Sequence, residues 1–317
     1  MEICALLSPS KIAKLAPKAM ADKTPLRSEG DQLAEILDEL QRQQQVQDFS
    51  GWDSGFLNLN RALDGILPGL NLLIGPPALG KTSFAKQLLD QVAKQNGRRG
   101  IFFSGAESKS ELRIKTLARL SAMETREIRR GSAYLLHWYG VPKAHHATAE
   151  QLAPSWEKIR RSAEDAKSWL DLIYLIECER STIVQDLEAQ IRQIDAAPFV
   201  VIDDCQRLGD ANHPLDARLP IVVEQLQELA TNLNLPLLAI WPDLGGHSKT
   251  APQAWAERVA SADVIMVMEK DRERTKQLTD PNQAVTLHIV KNRGGEKGQL
   301  AFEFYPAFAK FVEAERV

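Results

Sequence analysis

The 317-residue chain lacks any thiol framework. Its three cysteines, Cys4, Cys178 and Cys205, are scattered, odd in number and form no C-x-x-C pair. No disulfide scaffold is built from them, and the pattern suits a reducing cytoplasm. Long apolar runs are missing too, so no membrane-spanning helix is expected. The first twenty residues mix lysines among short apolar pieces and carry no secretion-signal core, so a cytoplasmic location is expected. Net charge is nearly absent: 39 Lys and Arg stand against 42 Asp and Glu. That excludes a protein coating nucleic acid through a global basic field, but not a ring that grips a strand with a few loops. The six histidines show no metal-ligand spacing, and the adjacent pair His145-His146 reads as a solvated turn. There is no internal repeat and no low-complexity tract.

What is present begins with Gly75-Pro76-Pro77-Ala78-Leu79-Gly80-Lys81-Thr82, which follows the phosphate-binding pattern G-x-x-x-x-G-K-[ST]. An apolar strand, residues 70–74, leads in, and a helical segment beginning at Ser83 leads out. The glycines let backbone N–H groups curl around a phosphate chain, and the helix N-terminus adds partial positive charge. Lys81 is expected on the β- and γ-phosphates, Thr82 on Mg²⁺. Downstream, Phe199-Val200-Val201-Ile202-Asp203-Asp204 is a buried strand ending in carboxylates. It is expected to deliver Asp203 to the same Mg²⁺, through water. ATP and Mg²⁺ are therefore the expected ligands. For the residue that orients the attacking water, Glu107 is the leading candidate because it follows strand 100–104 at the same sheet edge. Asp204 is a second option, and Glu111 reads as a surface charge.

The chain divides into a flexible arm (1–28), an amphipathic helix (29–48) with Leu33, Ile36, Leu37 and Leu40 on one stripe, and a main domain (49–317). The stripe suits docking on a neighbouring subunit or packing on its own domain equally well. In the main domain, strands at 70–74, 100–104, 172–176, 199–203 and 235–241 are separated by helices at 81–95, 108–120, 183–194 and 221–233. That alternation predicts an α/β fold with a mostly parallel sheet flanked by crossover helices. Strands at 264–268, 284–291 and 299–304 follow without intervening helices and predict antiparallel C-terminal strands, with a turn at 293–298. Residues 132–152 read as an irregular insertion. Lys291 and Arg293 end a strand one residue apart and point the same way. Spacing alone favours two ordinary surface charges.

Together these motifs resemble the C-terminal ATPase domain of DnaB-type replicative helicases, from about residue 51 to 311. The resemblance rests on the segment from Gly55 to Gly65, Phe102-Phe103-Ser104 followed by Ser108-Lys109, Ile128-Arg129-Arg130-Gly131, Val201-Ile202-Asp203 with Gln206, Ala262-Asp263-Val264, and Lys291-x-Arg293 with Gly294 and Gly298. It implies a RecA-like P-loop NTPase fold and a homo-oligomeric ring around single-stranded DNA. It also makes Lys291 and Arg293 catalytic toward a neighbour's nucleotide. The loops at 207–218 and 243–258 would face the channel, with Arg207, Lys249 and Arg258 as DNA contacts. Trp255 could stack on a base or pack on the core. A replication or mobile-element protein partner is implied; a membrane is not.

The departures matter. The family's glutamate position is Ala106, with Glu107 one place late. Trp241-Pro242 stands where the family has a Ser-Gln sensor, and Asp204 where it has tyrosine. The arm before Gly51 is too short for the family's N-terminal domain. Two functions follow: an ATP-hydrolysing motor, or a regulatory or assembly module that binds ATP with little or no turnover. A small-molecule kinase is a third, without a locatable acceptor pocket.

Overall fold

The computed structural model describes residues 48–131, 149–208, 214–243 and 252–314, with scattered positions between 28 and 41. Lys249, His145-His146 and nearly all of the arm lie outside them. The chain divides into two compact units, Met1–Gln47 and Asp48–Val317. In the first, the described positions from Glu29 to Gln41 are helical, and Leu33 and Leu37 are exposed. Ile36 and Leu40 lie outside the described residues.

The second unit is built on one nine-stranded sheet of order β3-β2-β4-β5-β1-β6-β7-β8-β9. Its strands are β1 (Gly69–Gly75), β2 (Gly100–Ser104), β3 (Ile173–Glu177), β4 (Phe199–Asp203), β5 (Pro236–Pro242), β6 (Val264–Asp271), β7 (Gln283–Asn292), β8 (Gly298–Tyr305) and β9 (Lys310–Glu313). The first six run parallel and the last three antiparallel. The helices that matter below are α1 (Leu57–Leu63), α2 (Lys81–Asn96), α3 (Lys109–Ser121), α4 (Ala149–Asp165), α5 (Val184–Ile191) and α6 (Leu215–Asn232).

The central parallel strands β1, β2, β4 and β5 read as nearly continuous apolar runs because both faces are buried. Alternate residues serve two cores. Leu70, Leu72, Ile101, Phe103, Val200, Ile202, Leu237 and Ala239 join the core that holds α5 and α6. Leu73, Phe102, Val201, Leu238 and Ile240 join the one beneath α2. The second core is aromatic. Phe84 stacks on Phe56 at 5.5 Å and meets Phe302 and Phe311 edge-on, while Phe304 stacks on Phe311 at 4.4 Å. The antiparallel strands thereby buttress the helix that starts at the P-loop.

The structure differs from the sequence reading at three places. The stretch read as irregular to 152 is already helical from Ala149, where Pro154 interrupts the helical pattern. β9 is only four residues long and was not expected. It is secured by Gln87, whose amide donates to the Phe311 carbonyl at 2.9 Å and accepts from the Phe311 N–H at 2.7 Å. Its Glu313 accepts from the N–H groups of Asn58 and Leu59, capping α1. β6 runs on to Asp271 and a one-turn helix, Arg272–Thr275, separates it from β7. Among the described residues no helix is long and apolar enough to cross a membrane.

Candidate functional site

Register brings four loops to one edge of the sheet. Ser104 lies opposite Asp203, and Gly75 lies opposite Pro242. The segments after β1, β2, β4 and β5 therefore converge at the carboxyl ends of parallel strands, where open α/β sheets place ligands. Asp243 closes the group: its N–H donates to the Gly75 carbonyl at 2.9 Å.

The P-loop runs from Gly75 through Pro76, Pro77, Ala78 and Leu79 to Gly80. Gly80 sits at φ 82°, and a Cβ there would stand 2.7 Å from the Phe304 ring. Backbone and packing thus both require glycine. The first N–H groups of α2, from Lys81, Thr82 and Ser83, have no partner within the helix and face the loop's concavity. Lys81 folds across the loop and donates to the Pro76 carbonyl at 2.7 Å. Burial brings its pKa down to about 8, against the pull of Asp203, Asp204 and Asp243.

The Thr82 hydroxyl donates to Asp203 at 2.8 Å. Burial pushes the Asp203 pKa up to about 6. The Thr82 hydrogen bond and Lys115 pull it down, and Glu107 and Asp204 push it up. A buried carboxylate short of positive charge beside a hydroxyl is a donor set that suits a divalent cation. Among the described residues no three His, Cys, Asp or Glu side chains are grouped to hold a metal alone. The remaining ligands of such an ion would come from phosphate and water.

Glu107, one place late in the sequence, still reaches this edge. The Ser104 hydroxyl donates to the Glu107 carbonyl at 2.6 Å and accepts from its N–H at 3.1 Å, closing a tight turn. Gly105 lies within that turn, its N–H on the Asp203 carbonyl. The extra residue is taken up there, and the Glu107 charge bears on Asp203. Asp204 sits in the left-handed region at φ 63°, with its carboxylate held by Arg207 and Gln206. Arg207 is thus tied to the rim of this site, half exposed. Glu111 pairs with Arg129 on the surface.

Lys291 and Arg293 lie at the opposite edge. Lys291 donates to the carbonyls of Ala260 and Ala262. Arg293 pairs with Asp263 at 2.8 Å and is largely exposed. Asp263 also accepts from the Leu70 N–H at the start of β1. Six residue steps along β1 separate that end from Gly75, about 20 Å at 3.3 Å per residue. Neither cation can reach the P-loop of its own chain. Of the other DNA candidates, Arg258 lies over the Trp255 ring at 4.7 Å. Trp255 itself is buried in the core, which removes it as a base-stacking platform; its alanine neighbours had pointed to packing.

Two site residues escaped the sequence reading. Asp243 is buried and acts on Lys81; its signal was being the first carboxylate after β5. Lys115 donates to Glu107 at 2.6 Å. Only the fold brings these two together, across the loop between β2 and α3. Beyond the P-loop, on the side away from Asp203, a cavity of about 850 Å³ is lined by Ala78, Lys270, Arg272, Thr286 and His288 among others.

The DnaB-like helicase C-terminal domain family model matches residues 51–313. A probable replicative DNA helicase of Trieres chinensis is 21% identical over 305 residues, covering 89% of this chain and 62% of that protein. Replicative DNA helicase DnaB of Geobacillus stearothermophilus is 23% identical over 288 residues, covering 85% and 58%. The chain thus spans about 60% of the length of these curated relatives. Among solved structures, an isolated ATPase domain superposes with a TM-score of 0.71 at 19% identity, over 93% of this chain and all of that one. A DnaB-like replicative helicase, solved in a study of its interactions with primase, gives 0.72 at 18%, over 91% and 69%.

Proposed function

The chain belongs to the DnaB-like helicase C-terminal domain family, and from that premise we propose that its second unit is an ATP-hydrolysing motor domain whose sites are completed between copies of itself in a ring around single-stranded DNA. One observation carries this reading. The P-loop, Asp203 and Glu107 stand at one edge of the sheet, and Lys291 and Arg293 at the other. Only a second copy can bring the two halves together.

In such a site, the α2 N–H groups and Lys81 hold the phosphates. Thr82 and Asp203 would hold Mg²⁺, which would supply positive charge to the phosphate oxygens. Glu107 orients a water molecule and accepts its proton as the water oxygen bonds to the γ-phosphorus. The bond from that phosphorus to the β-phosphate bridging oxygen breaks, and its electron pair stays on the bridging oxygen. A neighbour's Arg293, freed from Asp263, meets the charge that develops in the transition state, with Lys291 beside it. Because the terminal phosphate lies near Asp203, the ribose and base run toward the cavity beside Ala78 and Lys270. Lys249 and Arg207 are the proposed DNA contacts. Arg258, stacked on Trp255, is the weakest of the three.

One observation favours the second reading, a regulatory or assembly module. β5 ends in Trp241-Pro242 and then the buried carboxylate of Asp243, where a neutral hydrogen-bonding side chain would serve a γ-phosphate better. Steady-state ATPase measured with and without single-stranded DNA, alongside light scattering with Mg·ATP, separates the two. Turnover that rises with assembly and with DNA supports the motor. Tight ATP binding and assembly without turnover supports the module.

A further inference from the structure

We infer that Lys115 is a positioning residue for Glu107: it holds one carboxylate oxygen so that the other is presented to the attacking water. The inference rests on the hydrolytic reading above. Lys115 Nζ donates to Glu107 Oε1 at 2.6 Å, with both side chains mostly shielded from solvent. The second oxygen, Oε2, is buried without a hydrogen-bond partner. A buried carboxylate oxygen left open while its twin is paired calls for a ligand, and water is the one this chemistry uses. Without Lys115, nothing among the described contacts fixes the Glu107 side chain. The Ser104 hydroxyl grips only its backbone.

Lys115 is well placed to hold a carboxylate still. It belongs to α3, whose start is capped by Ser108 and by the Glu177 carboxylate, which accepts from the Lys109 N–H at 2.7 Å. The next residue, Thr116, donates to Asp90 of α2 at 2.8 Å and accepts from Lys86 at 2.7 Å. Arg119, one turn on, pairs with the same Asp90 at 2.5 Å. α3 is thus fixed to the helix that begins at the P-loop. The linkage runs from phosphate cradle to α2, Asp90, α3, Lys115 and Glu107. Lys115 makes and breaks no bond. Its effect falls on the geometry of water attack, where a displacement of about 1 Å costs on the order of 100-fold.

The test compares wild type, Lys115→Met, Lys115→Arg, Glu107→Gln and the double variant Glu107→Gln with Lys115→Met. Turnover is read as kcat and KM, and binding with a fluorescent ATP analogue. Lys115→Met is expected to lose on the order of 10- to 100-fold in kcat, with KM and analogue affinity within about twofold. Lys115→Arg should recover most of the rate, and the double variant should be no slower than Glu107→Gln. A Lys115→Met kcat equal to wild type overturns the assignment. So does a Lys115→Met loss that repeats in full in the Glu107→Gln background, or an arginine variant as slow as methionine. If Lys115→Met does not fold, Lys115→Gln, which keeps a donor, replaces it in the same cycle. A wild type that binds the analogue but turns over no ATP removes the hydrolytic reading, and Lys115 with it. Turnover that survives in Glu107→Gln removes only the carboxylate and its lysine.

Discussion

Replacing Asp203 with asparagine should make the nucleotide-free protein more stable. In the folded state its pKa stands at about 6 against an ordinary 3.8, first because burial disfavours the charge. Between those values the folded chain holds a proton that the unfolded chain has released. The stability this provides is complete below 3.8 and is lost as pH rises through 6. Above that, the ionised carboxylate is a standing cost. The rise from 3.8 to about 6, at about 1.4 kcal/mol per pH unit, makes that cost about 3 kcal/mol. The side chain is almost fully buried, so solvent screening does not reduce it much. Asparagine keeps an oxygen for the Thr82 hydroxyl and carries no charge. Asp203→Asn should therefore gain about 3 kcal/mol at pH 7.5 and about 1.5 kcal/mol at pH 5, falling toward zero near pH 3. Denaturant unfolding of both proteins without nucleotide, followed by tryptophan fluorescence at the three pH values, measures this. Under the proposed metal site, added Mg·ATP should reverse the order, because the neutral asparagine would hold the cation more weakly than the carboxylate. An asparagine variant no more stable than wild type at pH 7.5 would refute the argument, as would a gain that does not shrink at pH 5.

Lys81→Ala should weaken ATP binding by roughly 1.5–3 kcal/mol, the range for hydrogen bonds to charged groups; unchanged affinity by titration calorimetry counts against the P-loop role. Arg293→Ala should bind ATP normally but hydrolyse it poorly. Mixing it with Lys81→Ala should restore part of the rate, and mixtures as inactive as the separate variants would exclude sites shared between copies. Asp90→Ala leaves Lys86 and Arg119 buried without their counter-charge and should cost about 3–5 kcal/mol of stability in urea unfolding. A loss below about 1 kcal/mol would mean that the two cations find other partners.

The parallel half of the fold was legible because burial on both faces leaves unbroken apolar runs at β1, β2, β4 and β5. The turn at Gly80 was legible for a related reason: its left-handed backbone favours glycine, and backbone conformation of that kind is written in consecutive residues. What was not legible depends on contacts distant in sequence. β9 is recognisable only through Gln87, more than two hundred residues earlier. Glu107 read as displaced by one position, and the Ser104 hydroxyl that absorbs the shift belongs to a turn that no spacing rule describes. Lys115 looked like any polar residue on a helix, since its partner precedes the helix. Asp243 followed a Trp-Pro that drew attention as a missing sensor, and the carboxylate behind it passed unremarked. Trp255 resolved the other way, as a core residue.

The length of β1 that keeps Arg293 from its own P-loop, about 20 Å, has an arithmetic consequence. Under the proposed assembly no protomer owns a whole site; each contributes two halves that face opposite directions. A chain of n protomers arranged as an open spiral then contains n − 1 complete sites, and joining its ends adds one more. The protomer at each end of the gap carries one orphaned half, able to bind nucleotide on one side and idle on the other. Catalytic capacity thus becomes a census of junctions, not of molecules. The ratio of hydrolysing to binding sites would report, without any image, whether the circle is open or closed.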